Sequence, residues 1–305
     1  MNKIKLLKRS ITIGFLCILL NACGLVKKMN ASSEIEKANF ITSDIENFWK
    51  AYDIDEGKKQ SATYQNYYLD EGSKGLKSFV RLRIQNAENL VNAIDKHRTK
   101  YESIREGSLH LKDKEETIKA YYKNLQEIYP EAIFPDVYFL IGVMNTGGTI
   151  STKGLLIGVE RFENTEAIPP IVIHELIHYQ QKYYFKPRSF NLLQQSIMEG
   201  SADFLCDLVL GKQKTGETYA YGNAHEKELK AEFQQIMHRK WKEGWEGWMY
   251  GGQKEERPRD LGYWMGYQIV KSYYDKVTDK KKAVAEILSI KDFNDFTEKS
   301  GYFIE

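Results

Sequence analysis

Apolar residues return every three or four positions over most of this chain, and the places where that rhythm fails divide it into parts. Ile45, Phe48, Trp49 and Tyr52 fall on one helical face just after Ser43 and Glu46, a pair with the types and spacing of a capping box, so a helix is expected to start there. A turn-forming stretch at 70–75 follows. Beyond it Leu76, Phe79, Val80, Ile84, Ala87, Leu90, Val91 and Ile94 predict one long amphipathic helix. After Pro130 the rhythm changes. The runs DVYFLIGVM (136–144) and GLLIGVERF (154–162) are rich in branched and aromatic residues and predict two strands, joined by NTGGTISTK as a glycine-containing connection. Gly147 and Gly148 lack the lysine and following helix of a phosphate loop, so they read as a turn. Helical spacing resumes at Pro169, breaks at KPRS (186–189), and returns as a second helix that Gly211 closes. The remainder reads as helix around an irregular section at 243–260. These elements predict a mainly helical α+β fold. Residues 34–305 form one domain in this reading, with an N-terminal helical part (34–129), a small sheet with two chemically interesting helices (130–211) and a C-terminal helical part (212–305). A cleft is expected between them.

The first residues break the pattern in another way. Lys3, Lys5, Lys8 and Arg9 precede the apolar run SITIGFLCILL (10–20), which is too short to span a bilayer comfortably and reads as an export signal over 1–22. The following LNACG resembles the lipobox of bacterial lipoproteins, although Asn21 is a less usual choice at its position. That resemblance implies cleavage before Cys23, a lipid on its thiol, and residues 23–33 as a tether holding the protein to a membrane. Gly24 after the cysteine implies outer-membrane rather than inner-membrane residence by the familiar enterobacterial sorting rule.

Removing the signal changes the charge balance. Four of the 44 Lys and Arg, and no acid, precede Cys23, so the mature chain carries 40 basic residues against 42 acidic ones. No basic excess remains for a nucleic-acid partner. Of three cysteines only Cys206 stays as a free thiol, which excludes an intrachain disulfide and leaves a hydrophobic core to supply stability. Cys206 itself, within DFLCDLVL, reads as a core residue. His97 and His110 have no second histidine at ligand spacing and read as surface or packing residues.

Two of the six histidines lie four apart in IPPIVIHELIHYQQ. On a helix, His174 and His178 stack on one face and can aim a ring nitrogen each at one ion, while Glu175, about 100° round from His174, flanks that ion without binding it. Two imidazoles to hold a metal and a carboxylate to shuttle a proton are what H-E-x-x-H needs for metal-assisted hydrolysis. A third ligand is still required. Glu199 in the next helix supplies it, with Asp203 one turn further along the same face. Gly200, Ser201 and Ala202 lie between the two acids, and their small side chains should let the two helices come within ligand distance.

Here the sequence resembles the thermolysin-like, or gluzincin, zinc metallopeptidases, whose second helix carries a glutamate ligand followed four residues later by an aspartate. The resemblance implies that His174, His178 and Glu199 bind Zn²⁺, that Glu175 is the catalytic base, and that Asp203 accepts the far N–H of His174. Iron(II) can use the same donors, but two histidines and one carboxylate with an open position fit catalytic zinc. HELIH, MEGSADF and the late DLGYWMGYQIVKSYY together look similar to a group of predicted zinc-dependent proteases related to Bacteroidetes gliding-motility lipoproteins. The implied activity is hydrolysis of a peptide or protein substrate. The alternative is an envelope-assembly or motility lipoprotein that uses the fold as a scaffold. Gluzincins steady the oxyanion with a tyrosine or histidine from the C-terminal side, and Tyr263 is the expected donor, with Tyr267 and His225 as alternatives. Gly262 and Gly266 make a small face that should bring the Tyr263 helix close.

Overall fold

The computed structural model describes residues 31–183, 190–245, 247–250 and 257–304. The export segment, Cys23, most of the tether and the 186–189 break lie outside the described residues. Within them the fold is mainly helical with a small sheet, and buried apolar side chains from all three sequence parts join one contiguous core.

Helix α1 (Ser43–Asp55) starts where the apolar spacing places it, but its capping box does not form. Thr42 is the cap residue, with no side-chain cap bond. Asp44 supplies the polar anchor instead: its carboxylate accepts from the Ser73 backbone N–H at 2.9 Å and from the Ser73 hydroxyl at 2.6 Å. The long helix expected over 76–94 is interrupted. A short helix (Lys74–Phe79) runs into a π turn (Val80–Ile84), Gln85 takes φ 72°, and a new helix α2 (Ala87–Lys96) begins. The Asn86 side chain accepts from the Asn89 N–H at 2.8 Å, and this local cap replaces helix continuation. Helices α3 (Arg98–Leu109) and α4 (Glu115–Ile128) complete the N-terminal part.

Four strands form the main sheet: β1 (Phe40–Ile41), β2 (Val137–Leu140), β3 (Gly148–Ser151) and β4 (Gly154–Gly158), in the order β1-β2-β4-β3. The two sequence-predicted strands therefore do not form a hairpin. β2 and β4 pair in parallel, Val137 opposite Leu155, and the stretch read as a connection contains β3, which folds back antiparallel on β4. β3 is the edge strand on that side.

The loop joining β2 to β3 is held at many points. The Tyr68 hydroxyl donates to the Ile141 carbonyl at 2.6 Å and accepts from the Ile141 N–H at 2.9 Å, and the Tyr101 hydroxyl donates to the Gly142 carbonyl at 2.8 Å. Met144 sits at φ 63°, a conformation uncommon for a side-chain-bearing residue, and its N–H donates to the buried Glu160 at 3.2 Å.

Helix α5 (Ile168–Gln180) lies beneath the sheet, almost wholly buried, and α6 (Leu192–Leu210) packs beside it. Beyond α6 come α7 (Glu217–Ala224), α8 (Glu226–Ile236), α9 (Leu261–Lys276), α10 (Lys280–Ile287) and α11 (Phe293–Ser300). Helix α9 crosses α6 with the two backbones in contact. A Cβ on Gly266 would fall 1.7 Å from the Ser196 carbonyl oxygen, and one on Gly200 would fall 2.1 Å from the Tyr267 nitrogen. Gly200 thus makes room for α9, not for α5 as its place between Glu199 and Asp203 suggests.

Candidate metal centre

Helix α5 can carry two prolines because both lie in its first turn, where N–H groups have no intrahelical partner. Its C-terminal half presents His174 and His178 toward α6. Helix α6 is fixed at its start by Asn191 and Gln194, which form a reciprocal capping box, and at its end by Gly211 at φ 63°. One turn apart on α6, Glu199 and Asp203 both face α5.

Three side-chain atoms meet between the helices. The Nε2 atoms of His174 and His178 are 3.1 Å apart, and Glu199 Oε2 lies 3.0 Å from His178 Nε2 and 3.6 Å from His174 Nε2. Each imidazole has its outer nitrogen engaged: His174 Nδ1 with Asp203 Oδ1 at 2.8 Å, and His178 Nδ1 with Gln181 Oε1 at 2.8 Å. The Gln181 amide can point only one way, because its NH₂ donates to the Met198 carbonyl and the Ser201 hydroxyl. In the neutral rings the proton therefore sits on Nδ1, and both Nε2 lone pairs face the Glu199 carboxylate. Three acceptors point at one another with no donor between them. Donors spaced about 2.0–2.1 Å from a tetrahedral ion stand about 3.3–3.4 Å apart, within the spread observed here, so the residues present fit a metal such as zinc.

The electrostatics agree with a site built for added positive charge. Burial works against a charged His174, yet the Asp203 and Glu199 carboxylates beside it outweigh burial and raise its pKa. Burial likewise opposes ionisation of Glu199 and Asp203. The histidines hold the first well below the usual carboxylate range, and Lys214 with His174 hold the second low. Asp203 is further tied by the Lys214 ammonium and by the Tyr219 hydroxyl at 2.6 Å.

Glu175 sits apart from this triangle. Burial raises its pKa, partly opposed by the histidines and Arg83. A Cβ on Gly148 would fall 2.6 Å from Glu175 Oε1, so only glycine lets β3 lie this close to the carboxylate. Both residues line a cleft of about 1160 Å³ that also holds the two histidines and Glu199. Gly147, Gly148 and Thr149 form one wall, and Phe190, Trp241, Trp245 and Tyr250 stand on another.

Of the three oxyanion candidates, only Tyr263 lines this cleft. Its ring stacks 6.5 Å from that of His174, and its hydroxyl makes no hydrogen bond among the described residues. Tyr267 instead donates to Asp207 at 3.0 Å, and His225 stacks on Tyr221 with Nδ1 on the Tyr221 carbonyl. Gly262 and Gly266 both face Ser196 of α6. Cys206 is buried, its thiol on the Pro170 carbonyl at 3.5 Å. Sequence reasoning missed Gln181, Gln195 and Tyr250. The Tyr250 hydroxyl donates to Glu199 Oε1 at 2.9 Å, and Gln195 Nε2 reaches the same oxygen at 3.2 Å. Gln181 and Gln195 stand at i+3 and i−4 from a ligand, a spacing that could have been searched. Tyr250 comes from the irregular section and carries no such signal.

The family described as "Predicted Zn-dependent protease (DUF2268)" matches residues 142–294, half of the chain. The chain belongs to this family. The DUF2268 segment contains β3, β4, α5, α6 and α9, and so every residue of the metal triangle, whereas β2, helices α1–α4 and Arg83 precede it. No curated protein and no solved structure matches the chain.

Proposed function

We propose that this DUF2268 protein is a zinc-dependent peptidase of gluzincin type, anchored in the bacterial envelope by lipid on Cys23. The observation that carries the catalytic part is the convergence of two imidazole lone pairs and a carboxylate beside Glu175 at the floor of an open cleft. His174, His178 and Glu199 would hold the zinc, and Asp203 and Gln181 keep both rings turned toward it. Bound zinc would supply polarisation of the scissile carbonyl and a lower pKa for water in this site. Glu175 takes the proton of the attacking water on its carboxylate and returns it to the leaving nitrogen, a role its raised pKa suits. β3 uses one edge for β4 and turns the other toward the cleft, where an extended peptide can add as a further strand. Tyr263, with its hydroxyl free to donate, steadies the oxyanion. The anchor and the outer-membrane location rest on the order of charges, apolar run and LNACG at the start of the sequence.

One experiment tests the reading against a non-catalytic scaffold. Zinc content and peptide cleavage are measured on the same preparations of the mature protein and Glu175→Gln. The expected result is about one zinc per chain in both and cleavage in the first alone. His174→Ala, His178→Ala and Glu199→Ala should each lower occupancy, and Asp203→Ala should weaken affinity roughly 10–100-fold. Zinc without cleavage of any peptide would favour the scaffold.

A further inference from the structure

Two arginines line the cleft on the β3 side, and neither forms an ion pair among the described residues. Arg83 projects from the π turn Val80–Ile84, and Arg161 ends the 3-10 turn (Val159–Arg161) that follows β4. Both are exposed. The loop that leads into β3 pins them together: the Asn145 side chain donates to the Arg83 carbonyl at 3.1 Å, and Arg161 Nη1 donates to the Met144 carbonyl at 3.0 Å. From Asn145 the chain reaches Gly148, at the Glu175 carboxylate, in three residues. Beyond its field at Glu175, the Arg83 guanidinium makes no hydrogen bond or ion pair among the described residues. Arg161 spends one N–H on a carbonyl and, beyond its field at the buried Glu160, forms no ion pair among the described residues.

Guanidinium groups offer planar arrays of donors that match a carboxylate, and two of them unpaired in a substrate cleft make that end complementary to an anion. Elsewhere the lining mixes signs: Glu175, Glu199 and Asp207 stand with Lys212 and with Lys214, whose ammonium is paired with Asp203. The loop is built to hold its shape. Tyr68, Tyr101 and Glu160 fix its backbone from below, and Met144 keeps a positive φ that such support is needed to maintain. We infer that Arg83 and Arg161 form a carboxylate-recognition site at the β3 end of the cleft, selecting peptides that present a carboxylate there. The carboxylate is either the C-terminus of the substrate or an Asp or Glu side chain. This rests on the peptidase reading above, because it assumes that the cleft receives a peptide.

The test separates the two. Binding is measured on the zinc-loaded Glu175→Gln protein, which should hold peptides without cutting them, using matched probes. One pair differs in a C-terminal carboxylate against an amide, and a second, amidated pair differs in internal Glu against Gln. The expected result is a preference of at least about fivefold for the acid member of one pair, falling toward unity in Arg83→Gln and Arg161→Gln. Preference in the first pair identifies a C-terminal carboxylate, and preference in the second an acidic side chain. Both arginines are exposed, so these variants should fold, which circular dichroism checks. Peptide binding without acid preference overturns the inference and leaves the peptidase reading intact. A preference that survives both substitutions also overturns it, since the carboxylate is then held elsewhere. If no probe binds, the inference and the peptide cleft fall together, whatever the zinc content.

Discussion

At the scale of single residues, the geometry separates atoms tied into the metal triangle from the two that the proposed mechanism asks to react. The two imidazoles are locked by Asp203 and Gln181, and Glu199 has Tyr250 and Gln195 on its second oxygen, while Glu175 and Tyr263 keep their polar ends free for the cleft. Tyr263→Phe should therefore leave zinc content and folding unchanged and lower kcat roughly 10²–10³-fold, the usual cost of one oxyanion donor. Steady-state kinetics on a cleaved peptide check this, and full activity in the variant would shift attention to Tyr250. A second residue bears on stability. Glu160 is fully buried, Oε2 has no hydrogen-bond partner, and burial, softened by backbone N–H groups of Gly142 and Met144, pushes its pKa up to about 7. Unfolded, it would titrate near 4.5. Below that value both states are protonated and Glu160 contributes nothing to pH dependence. As pH rises to about 7 the unfolded state loses its proton first, so stability should fall by about 3 kcal/mol across that window. Glu160→Gln keeps an acceptor for Met144 without the charge. Denaturant titrations should show it more stable than the parent at pH 8 and nearly equal to it at pH 4.5. Equal stability at pH 8 would mean that Glu160 ionises in place without penalty.

Among the elements, the helix pair α6 and α9 sets the position of Glu199. Their backbones touch because Gly200 and Gly266 carry no side chain. Gly266→Ala would drive a methyl into the Ser196 carbonyl and should cost at least about 1–3 kcal/mol, with lower zinc occupancy as α6 shifts. Thermal melts with and without zinc check both effects. The sequence made helices α5 and α6 legible because the ligand spacing and the capping residues coincide with the apolar rhythm. Its silence about β3 has a physical cause: TGGTIST is short and glycine-rich, Gly148 must leave space for Glu175, and the buried Thr149 and Ser151 put hydroxyls where apolar side chains would announce a strand. The parallel pairing of β2 with β4 was likewise hidden, because two strands separated by a short glycine-containing stretch resemble a hairpin. The break at Asn86 failed to register because apolar spacing continues through it, and only the local cap interrupts the backbone.

For the whole molecule, anchoring and folding can be tested apart. Cys23→Ser should move the protein from the membrane to the soluble fraction after expression with its own signal; retention in the membrane would contradict lipidation. Among the described residues no helix is long and apolar enough to cross a bilayer. A fragment of residues 142–294, the stretch matched by DUF2268, should show no cooperative melt by circular dichroism, whereas the mature chain should. The fragment loses all of β2, the parallel neighbour of β4, together with Tyr68 and Tyr101, which hold the loop entering β3. A sharp transition in the fragment would show that the upstream helices are dispensable. The same pairing has a consequence for how such a chain can diverge. The metal triangle and Glu175 are written in one stretch, while the backing that shapes the β3 wall, Arg83 included, is written in an earlier one. On the proposed peptidase reading, drift in the first 141 residues can therefore alter which polypeptides are admitted while leaving His174, Glu175, His178 and Glu199 in place.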